Sequence, residues 1–539
     1  MSSPLTVRNL TSTAISLLRV ERFEDPNTLQ SKANGYFFSS KTTTHATPTA
    51  PELSGHAQSF NCQDLEVILQ PFESYTLSFP SLAQPSSTAT LSSPTLRITI
   101  QTANNERHRV DTNPSYTQKS TQTFTALSAS PSTTYKAIFH PSKPTPHLAI
   151  HSNHVPRYSS WMATLPDNLP VSAISIPGAH NAHTHYCALP SVRCQVHDIQ
   201  TQLDNGIRFL DIRVQPVHAT DVSKKELYLV HGAFPVSLTG PKYFDPVLQT
   251  CYTFLAANPR ETILLSLKRE GIGSATDDHL ARILQKHYIA RNPAAWYTQN
   301  KIPYLGSVRG KLVLVRRYTV ESSTSTSTSD SPDVQNAGLD ATAWPHNATH
   351  AVFPSSSSSS SSQCITPTFC LQDFCEVLVP SLIPSKLQHC NDHLVRSAAA
   401  MHPIPGITTD IANPVPPGPL YLNFLSASNF WKKACWPSAI AKVVHQGMEM
   451  WLCGGHHLQD EGVTGSTREP AGGNTESRSQ SNSGGVEVRK AKSGDGSTGI
   501  VVMDCVGENG DWDLVRLVIG MNVGVLLKFP PPSSSSSSS

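Results

Sequence analysis

From Trp161 onward, short apolar runs of strand length alternate with segments of helical period, a pattern that indicates βα units and a parallel sheet. The runs fall at Ile174–Ile176, Ile207–Val214, Leu227–Val230, Ile263–Leu267, Leu312–Val315, Phe369–Leu371, Leu420–Leu425 and Ile500–Met503. Eight such strands fit a closed barrel, so the expected fold is α/β, an irregular TIM-type (β/α)8 barrel over 156–530. The intervening helices carry their own punctuation. Asp245-Pro246 starts one, because Asp accepts from free amides and Pro suits the first helical position. Val247, Leu248, Cys251, Phe254 and Leu255 line its apolar face, and Asn258-Pro259 stops it. Another begins at Asp277 or Asp278 and buries Leu280, Ile283 and Leu284.

Residues 1–155 read differently. Leu65, Val67 and Leu69, then Tyr75, Leu77 and Phe79, then Leu96, Ile98 and Ile100 alternate with polar neighbours, and Pro/Ser/Thr/Asn clusters separate the stretches. Period-two alternation without a long helical period predicts a small, sandwich-like all-β domain of no legible role. Two insertions interrupt the barrel: 321–363, with the polyserine run Ser355 to Ser362, and the Gly/Ser/charge-rich 455–497. Together with the serine tail 531–539 they are expected to be disordered, because they bury too little apolar surface to offset ordering entropy. Only 15% of the 539 residues are charged, against about a quarter in an average chain, and 42 are proline.

A formal charge of +2 and the lack of a basic stripe exclude a dedicated polyanion or nucleic-acid partner as the expectation. The start, MSSPLTVRNL, lacks a basic region followed by an apolar one, and the stretch Leu514 to Leu527 is broken by Arg516 and Asn522. The 11 cysteines, odd in number and irregularly spaced, read as reduced thiols. Asn9 and Asn347 head glycosylation-type triplets, which short matches produce by chance. The expectation is a cytoplasmic or peripheral membrane protein.

Chemistry-bearing residues collect at the predicted C-terminal ends of the strands, where βα barrels build their active sites. His180 follows the first strand, and Asp211 and Arg213 share one face of the second. His231 ends the third, Lys268 and Glu270 the fourth, and Arg316, Asp373 and Asp504 end later ones. Two histidines, a guanidinium and carboxylates suit phosphodiester cleavage. One imidazole takes a proton from an attacking hydroxyl while the other protonates the leaving oxygen, and Arg grips the phosphate oxygens.

Ser175-Ile-Pro-Gly-Ala-His-Asn181, the run Thr201 to Arg213, His231-Gly232 and the run Asn258 to Glu270 together resemble the X domain of phosphatidylinositol-specific phospholipase C. The likeness is nearer to the bacterial-type, metal-independent branch. Gly310 to Arg316, Leu371-Gln-Asp373 and Val501-Val-Met-Asp504 extend it to about two-thirds of the chain. The resemblance implies His180 as the base on the inositol 2-hydroxyl, His231 as the acid on the diacylglycerol oxygen, and a cyclic inositol phosphate as first product. It implies Arg213 on the phosphate with Asp211 in support, Asp504 orienting His180, and Lys268, Glu270, Arg316 and Asp373 as substrate contacts at a phospholipid surface. In the calcium-dependent branch an acidic residue stands at Arg213 and a Ca²⁺ ion supplies the positive charge, so here no metal or other cofactor is expected.

Two positions depart from the bacterial pattern. Asn181 stands where those enzymes carry an aspartate paired with the general acid, and Cys375 where a tyrosine often stacks on inositol. The alternative is therefore a catalytically weak barrel that binds phospholipid or phosphate. A metal-dependent glycerophosphodiesterase would need an early His-Arg-Gly and a following acidic cluster, and neither is seen. His180, His183 and His185 have a metal-like spacing, but no matching carboxylate or Cys pair accompanies them. Trp161, Phe234 and Tyr243 are candidates for lipid contact or for internal packing.

Overall fold

A computed structural model describes residues 5–23, 61–77, 95–111, 121–123, 125–126, 135–140, 147–152, 157–320, 338–355, 367–413, 415–459 and 488–530. Phe79, most of the polyserine run, residues 460–487 and the 531–539 tail lie outside them. The chain divides into two compact units, 1–153 with 453–493, and 154–452 with 494–539.

The first unit contains two five-stranded sheets. One has the order Ser74–Leu77, Leu5–Leu10, His147–Ser152, Tyr135–His140, Thr121–Thr123. The other runs Asn61–Leu69, Ile15–Phe23, Thr95–Thr102, Arg107–Asp111, Thr125–Ala126. Inward residues of both sheets, among them Leu5, Val7, Leu17, Ile98, Ile100 and Leu148, form one apolar cluster. The ends of the second insertion belong to this unit, which differs from the expectation of a disordered loop on the barrel. His456, His457 and Leu458 are buried, and the His456 carbonyl accepts from the fully buried Arg8. Leu458 also bridges to Ala491. Composition averaged over the insertion hides these few buried residues at its ends.

The second unit carries a mixed sheet whose parallel strands are Ile176–Ala179, Phe209–Pro216, Ile263–Arg269, Leu312–Arg316, Thr368–Gln372, Leu420–Phe424 and Ile500–Met503. Strand 176–179 lies between 209–216 and 500–503, so the first and last βα units meet. The sheet curls. Phe209 meets Phe424 at 6.4 Å between ring centroids, and Trp344 meets Phe424 at 5.4 Å. Gly178 makes this possible, because a Cβ there would sit 3.0 Å from the Phe209 Cβ.

Two expectations need correcting. Leu227–His231 is not a barrel strand but an antiparallel partner of the end of 209–216. Among the described residues no pairing joins Leu339–Asp340, which extends the sheet beyond 312–316, to Ala351–Pro354, which pairs with 368–372. The barrel is thus an open, curled sheet. Both of those short strands lie inside 321–363, so 338–355 is ordered; Leu339, Asp340 and Ala341 are buried.

The helices keep their expected apolar faces, but the first starts at Phe244 with Tyr243 as N-cap and no side-chain cap, so Asp245 lies inside its first turn instead of capping it. Phe244–Ala257 buries the five apolar residues expected of it and ends at Asn258. Asp277–Leu284 is capped by Thr276, whose side chain accepts from the His279 amide, while Asp277 pairs with Arg269. At the end of the barrel opposite the strand C-termini, buried Arg208 pairs with Glu261 at 2.8 Å, and Glu261 also accepts from the Met162 and Ala163 amides. Trp161, 1% exposed, donates to the Gly206 carbonyl and is core, not a lipid contact. Leu514 to Leu527 folds into two short helices, and no described helix is long and apolar enough to cross a membrane.

Candidate active site

The sheet register decides which side chains meet. Phe209 is level with Gly178, Gly178 with Val502, and Val502 with Phe424. Two residues further along each strand, on the same inner face, come Asp211, His180 and Asp504. Asp211 is level with Ser266 and Arg213 with Lys268, so Arg213, Lys268 and Glu270 complete the cluster.

His180 is held from two sides. Its Nδ1 lies 2.7 Å from Asp504, 2% exposed, and its Nε2 lies 2.9 Å from the Arg213 guanidinium. A guanidinium only donates, so Nε2 accepts and Nδ1–H donates to Asp504. That tautomer is a neutral imidazole with its basic lone pair turned into the site. The residues directly after His180 and Asp504, Asn181 and Cys505, have φ of 41° and 48°, backbone strain placed where the pair is positioned.

Arg213 also donates to Glu270 at 2.8 Å and to Asp211 at 3.3 Å, and its Nε–H has no acceptor among the described residues. Burial opposes its charge, but Glu270 and Asp211 outweigh burial and hold it protonated. Burial alone would raise the Asp211 carboxyl; Arg213, Arg317 and His180 overcome that and bring it down to about 2. Glu270 is likewise pulled well below the usual carboxylate range against burial, by Arg213 and by Lys268, whose Nζ is 2.9 Å away. Its other oxygen accepts from the Gly232 amide, tying the His231 loop to this cluster.

His231 stands opposite His180, the ring centroids 6.3 Å apart and the planes at 89°. Its Nδ1 donates to the Val192 carbonyl at 2.7 Å, which leaves Nε2 for the site. Burial first, then Arg213 and His180, push its pKa down to about 4. Asn181 does not reach it. The amide Nδ2 contacts Cys194 Sγ at 3.6 Å, Cys194 lies 3.9 Å from His231 Nδ1, and the buried Asn181 Oδ1 has no partner among the described residues.

The remaining expected contacts divide. Asp373 accepts from the Trp344 indole at 2.9 Å. Arg316 turns away, bound to Asp340 at 2.6 Å and to the Tyr318 carbonyl. Its neighbour Arg317 takes the inner face instead, donating to Asp211 at 3.3 Å and lying 3.8 Å from the Trp344 ring centroid. Arg317 and Trp344 were not foreseen; period-two counting along the strand was the available signal for the first. Cys375 is half-buried near Asp373, its thiol pushed up to about 11 by burial. His183 is buried against the Val230 carbonyl, and neither it nor His185 joins a metal-sized group of side chains among the described residues. The sequon-type residues are structural, Asn9 bonded to the Thr13 and Leu69 carbonyls and Asn347 to the Cys375 and Glu376 amides.

Residues 168–318 match the family model "Phosphatidylinositol-specific phospholipase C, X domain". The chain is 34% identical over 164 residues to a 1-phosphatidylinositol phosphodiesterase of Listeria monocytogenes, covering 29% of this chain and 47% of that one. It is 27% identical over 158 residues to the human PI-PLC X domain-containing protein 1, covering 23% and 46%. It thus spans about half the length of the curated relatives it matches. A solved structure of Staphylococcus aureus phosphatidylinositol-specific phospholipase C overlaps 68% of this chain and 98% of its own at 19% identity, with a TM-score of 0.46. With its motifs in order along the sheet, the segment 168–318 carries the phosphatidylinositol-specific phospholipase C X-domain pattern, and it is this segment that the chain shares with those relatives.

Proposed function

We propose that this protein is a phosphodiesterase that cleaves phosphatidylinositol-type lipids by general acid/base catalysis. The observation that carries the reading is the pair His180 and His231, facing each other across 6.3 Å with the Arg213 guanidinium against one of them. His180 Nε2 takes the proton of the inositol 2-hydroxyl, whose oxygen attacks phosphorus. The bond from phosphorus to the diacylglycerol oxygen breaks, and His231 Nε2–H protonates that oxygen. A cyclic inositol phosphate and diacylglycerol result. Asp504 stabilises the imidazolium formed on His180, and Arg213 transfers its hydrogen bonds from Nε2 to the phosphate, freeing the base. Glu270 and Asp211 keep the guanidinium charged and oriented, so the positive charge at the phosphate comes from the protein and no metal is required. Lys268, Arg317 and Asp373 are the groups at hand for inositol hydroxyls.

Contact with a lipid surface is peripheral in this reading. Phe234, three residues past His231, stacks on Phe430 at 4.3 Å, and the adjacent Trp431 is 88% exposed. These aromatics come from loops on the side of the sheet where the catalytic groups lie.

One observation favours a second reading, a barrel that binds phosphate but turns over slowly. His231 has a carbonyl and a thiol beside it where a carboxylate would stabilise its protonated form, and its pKa is depressed to about 4. The test is hydrolysis of phosphatidylinositol vesicles in EDTA by wild type, His180→Ala and His231→Ala. Inositol phosphate release by wild type alone is expected. No release from this or any other phosphodiester lipid, with vesicle binding retained, selects the binding module; loss of activity in EDTA removes the metal-free mechanism.

A further inference from the structure

We propose that His350, Cys370 and His393 form a site for a thiophilic transition-metal ion on the outer face of the barrel, away from the catalytic groups. Cys370 pairs with Val352 across the antiparallel ladder, so His350 stands just before the strand beside it. On its own strand Cys370 alternates with Phe369 and Leu371, and Leu371 is level with Leu422, which shares the inner face with Phe424. Cys370 therefore points outward, toward the helix Ile383–Ala399 that carries His393 on its buried side.

The ligand atoms of the three side chains lie within 4.8 Å of one another, and Cys370 Sγ is 4.0 Å from His350 Nδ1. A zinc ion bonded at about 2.0–2.3 Å brings such ligands to about 3.5 Å apart, a closure that side-chain torsions supply. His393 gives the second observation. It is 0% exposed, yet neither ring nitrogen has a hydrogen-bond partner among the described residues. A buried imidazole left with an unsatisfied donor and acceptor is costly, and coordination satisfies the lone pair.

His350 is exposed, so an ion has a path in and a solvent molecule can take the fourth position. Two imidazoles and one thiolate, with no carboxylate, select a zinc-like or softer ion over calcium or magnesium. Binding moves the Cys370 proton to solvent and ties the hairpin of 351–354 and 368–372 to the 383–399 helix.

The test is titration of the full chain with Co²⁺ alone, following the thiolate-to-cobalt absorption band, then displacement by Zn²⁺. One cobalt per chain with that band is expected, lost in Cys370→Ser and in His350→Ala. The second substitution is at the surface and spares the fold, so its circular dichroism should match wild type. The band should survive in Cys194→Ser, whose thiol lies in the other metal-sized group, with His180 and Asp504. Zn²⁺ should raise the melting temperature of wild type and not of His350→Ala. Absence of the band in folded wild type, or its persistence in Cys370→Ser, overturns the site.

Discussion

In the proposed mechanism His231 is the general acid, and rate should depend most sensitively on it. A general acid must begin protonated, yet its pKa in the unoccupied site is about 4, so only roughly a thousandth carries the proton at neutral pH. Since kcat/KM reports the free enzyme, it should rise as pH is lowered through neutrality and keep rising toward about pH 5. The depression comes from burial and then from Arg213 and His180, which outweigh the Val192 carbonyl and Glu270; among the described residues no carboxylate bonds Nδ1. Asn181→Asp introduces a carboxylate on the far side of Cys194, in a pocket where Oδ1 already lacks a partner. It should move the alkaline limb of the kcat/KM profile upward by about one pH unit and raise activity at neutral pH several-fold. A profile unchanged from wild type would show that the position does not reach His231.

At the level of elements, one residue of register separates a side chain that faces the catalytic cluster from a structural pair. Ser266 is level with Val315 and Leu267 with Arg316, so Arg317 continues the inner row of Asp211 and Lys268 while Arg316 continues the outer one. Arg316→Ala should therefore leave Asp340 buried and unpaired, costing about 3–5 kcal/mol of stability, with kcat/KM changed little in the folded fraction. Arg317→Ala should do the reverse, lowering kcat/KM by at least tenfold with a smaller loss of stability. Equilibrium denaturation and initial rates on both variants separate the two roles. The sequence contained this information in its alternation, but a motif ending at Arg316 drew attention to the wrong neighbour. The positions of His180, Asp211, Arg213, His231, Glu270 and Asp504 were legible because short motifs fix them within or directly after strands. Arg317, Trp344 and Cys194 were not, since their contacts with Asp211, Phe424 and His231 span 106, 80 and 37 residues of chain. Leu227–His231 was misread because an apolar run of strand length does not tell a barrel strand from one that folds back on its predecessor.

For the molecule as a whole, each unit carries a buried histidine held neutral, and this sets the direction of its response to acid. In the β unit, His151 is 8% exposed with its pKa lowered to about 4, by burial first and then by Arg8 and Lys136. In the barrel, His183 is 0% exposed and lowered to about 3, chiefly by burial, which outweighs its bond to the Val230 carbonyl and the nearby Asp211. The folded pKa lies below the unfolded 6.5 in both, so between those values the unfolded chain takes up a proton that the folded one refuses. Stability is complete above about pH 6.5 and falls below it, by up to about 1.4 kcal/mol per pH unit for each such group. Asp211 has the same sign lower down: from its ordinary 3.8 to its folded value of about 2, falling pH removes the stability of its pairs with Arg213 and Arg317. Denaturant midpoints measured from about pH 7.5 to about pH 5.5 should therefore decline for both units ahead of most carboxylate titration. His183→Gln should make the decline shallower by about one proton in the barrel transition alone, because an amide still donates to the Val230 carbonyl and has no proton to gain, while His231 and His393 keep the remainder. A barrel midpoint that is level across this range in wild type would mean that His183 is protonated, or reached by water, in the folded state. The same measurement separates the two units. Residues 453–459 and 488–493 cluster with the β strands, so the acid response of His151 should be matched by a change in protease access at those ends of the second insertion, and not by loss of activity.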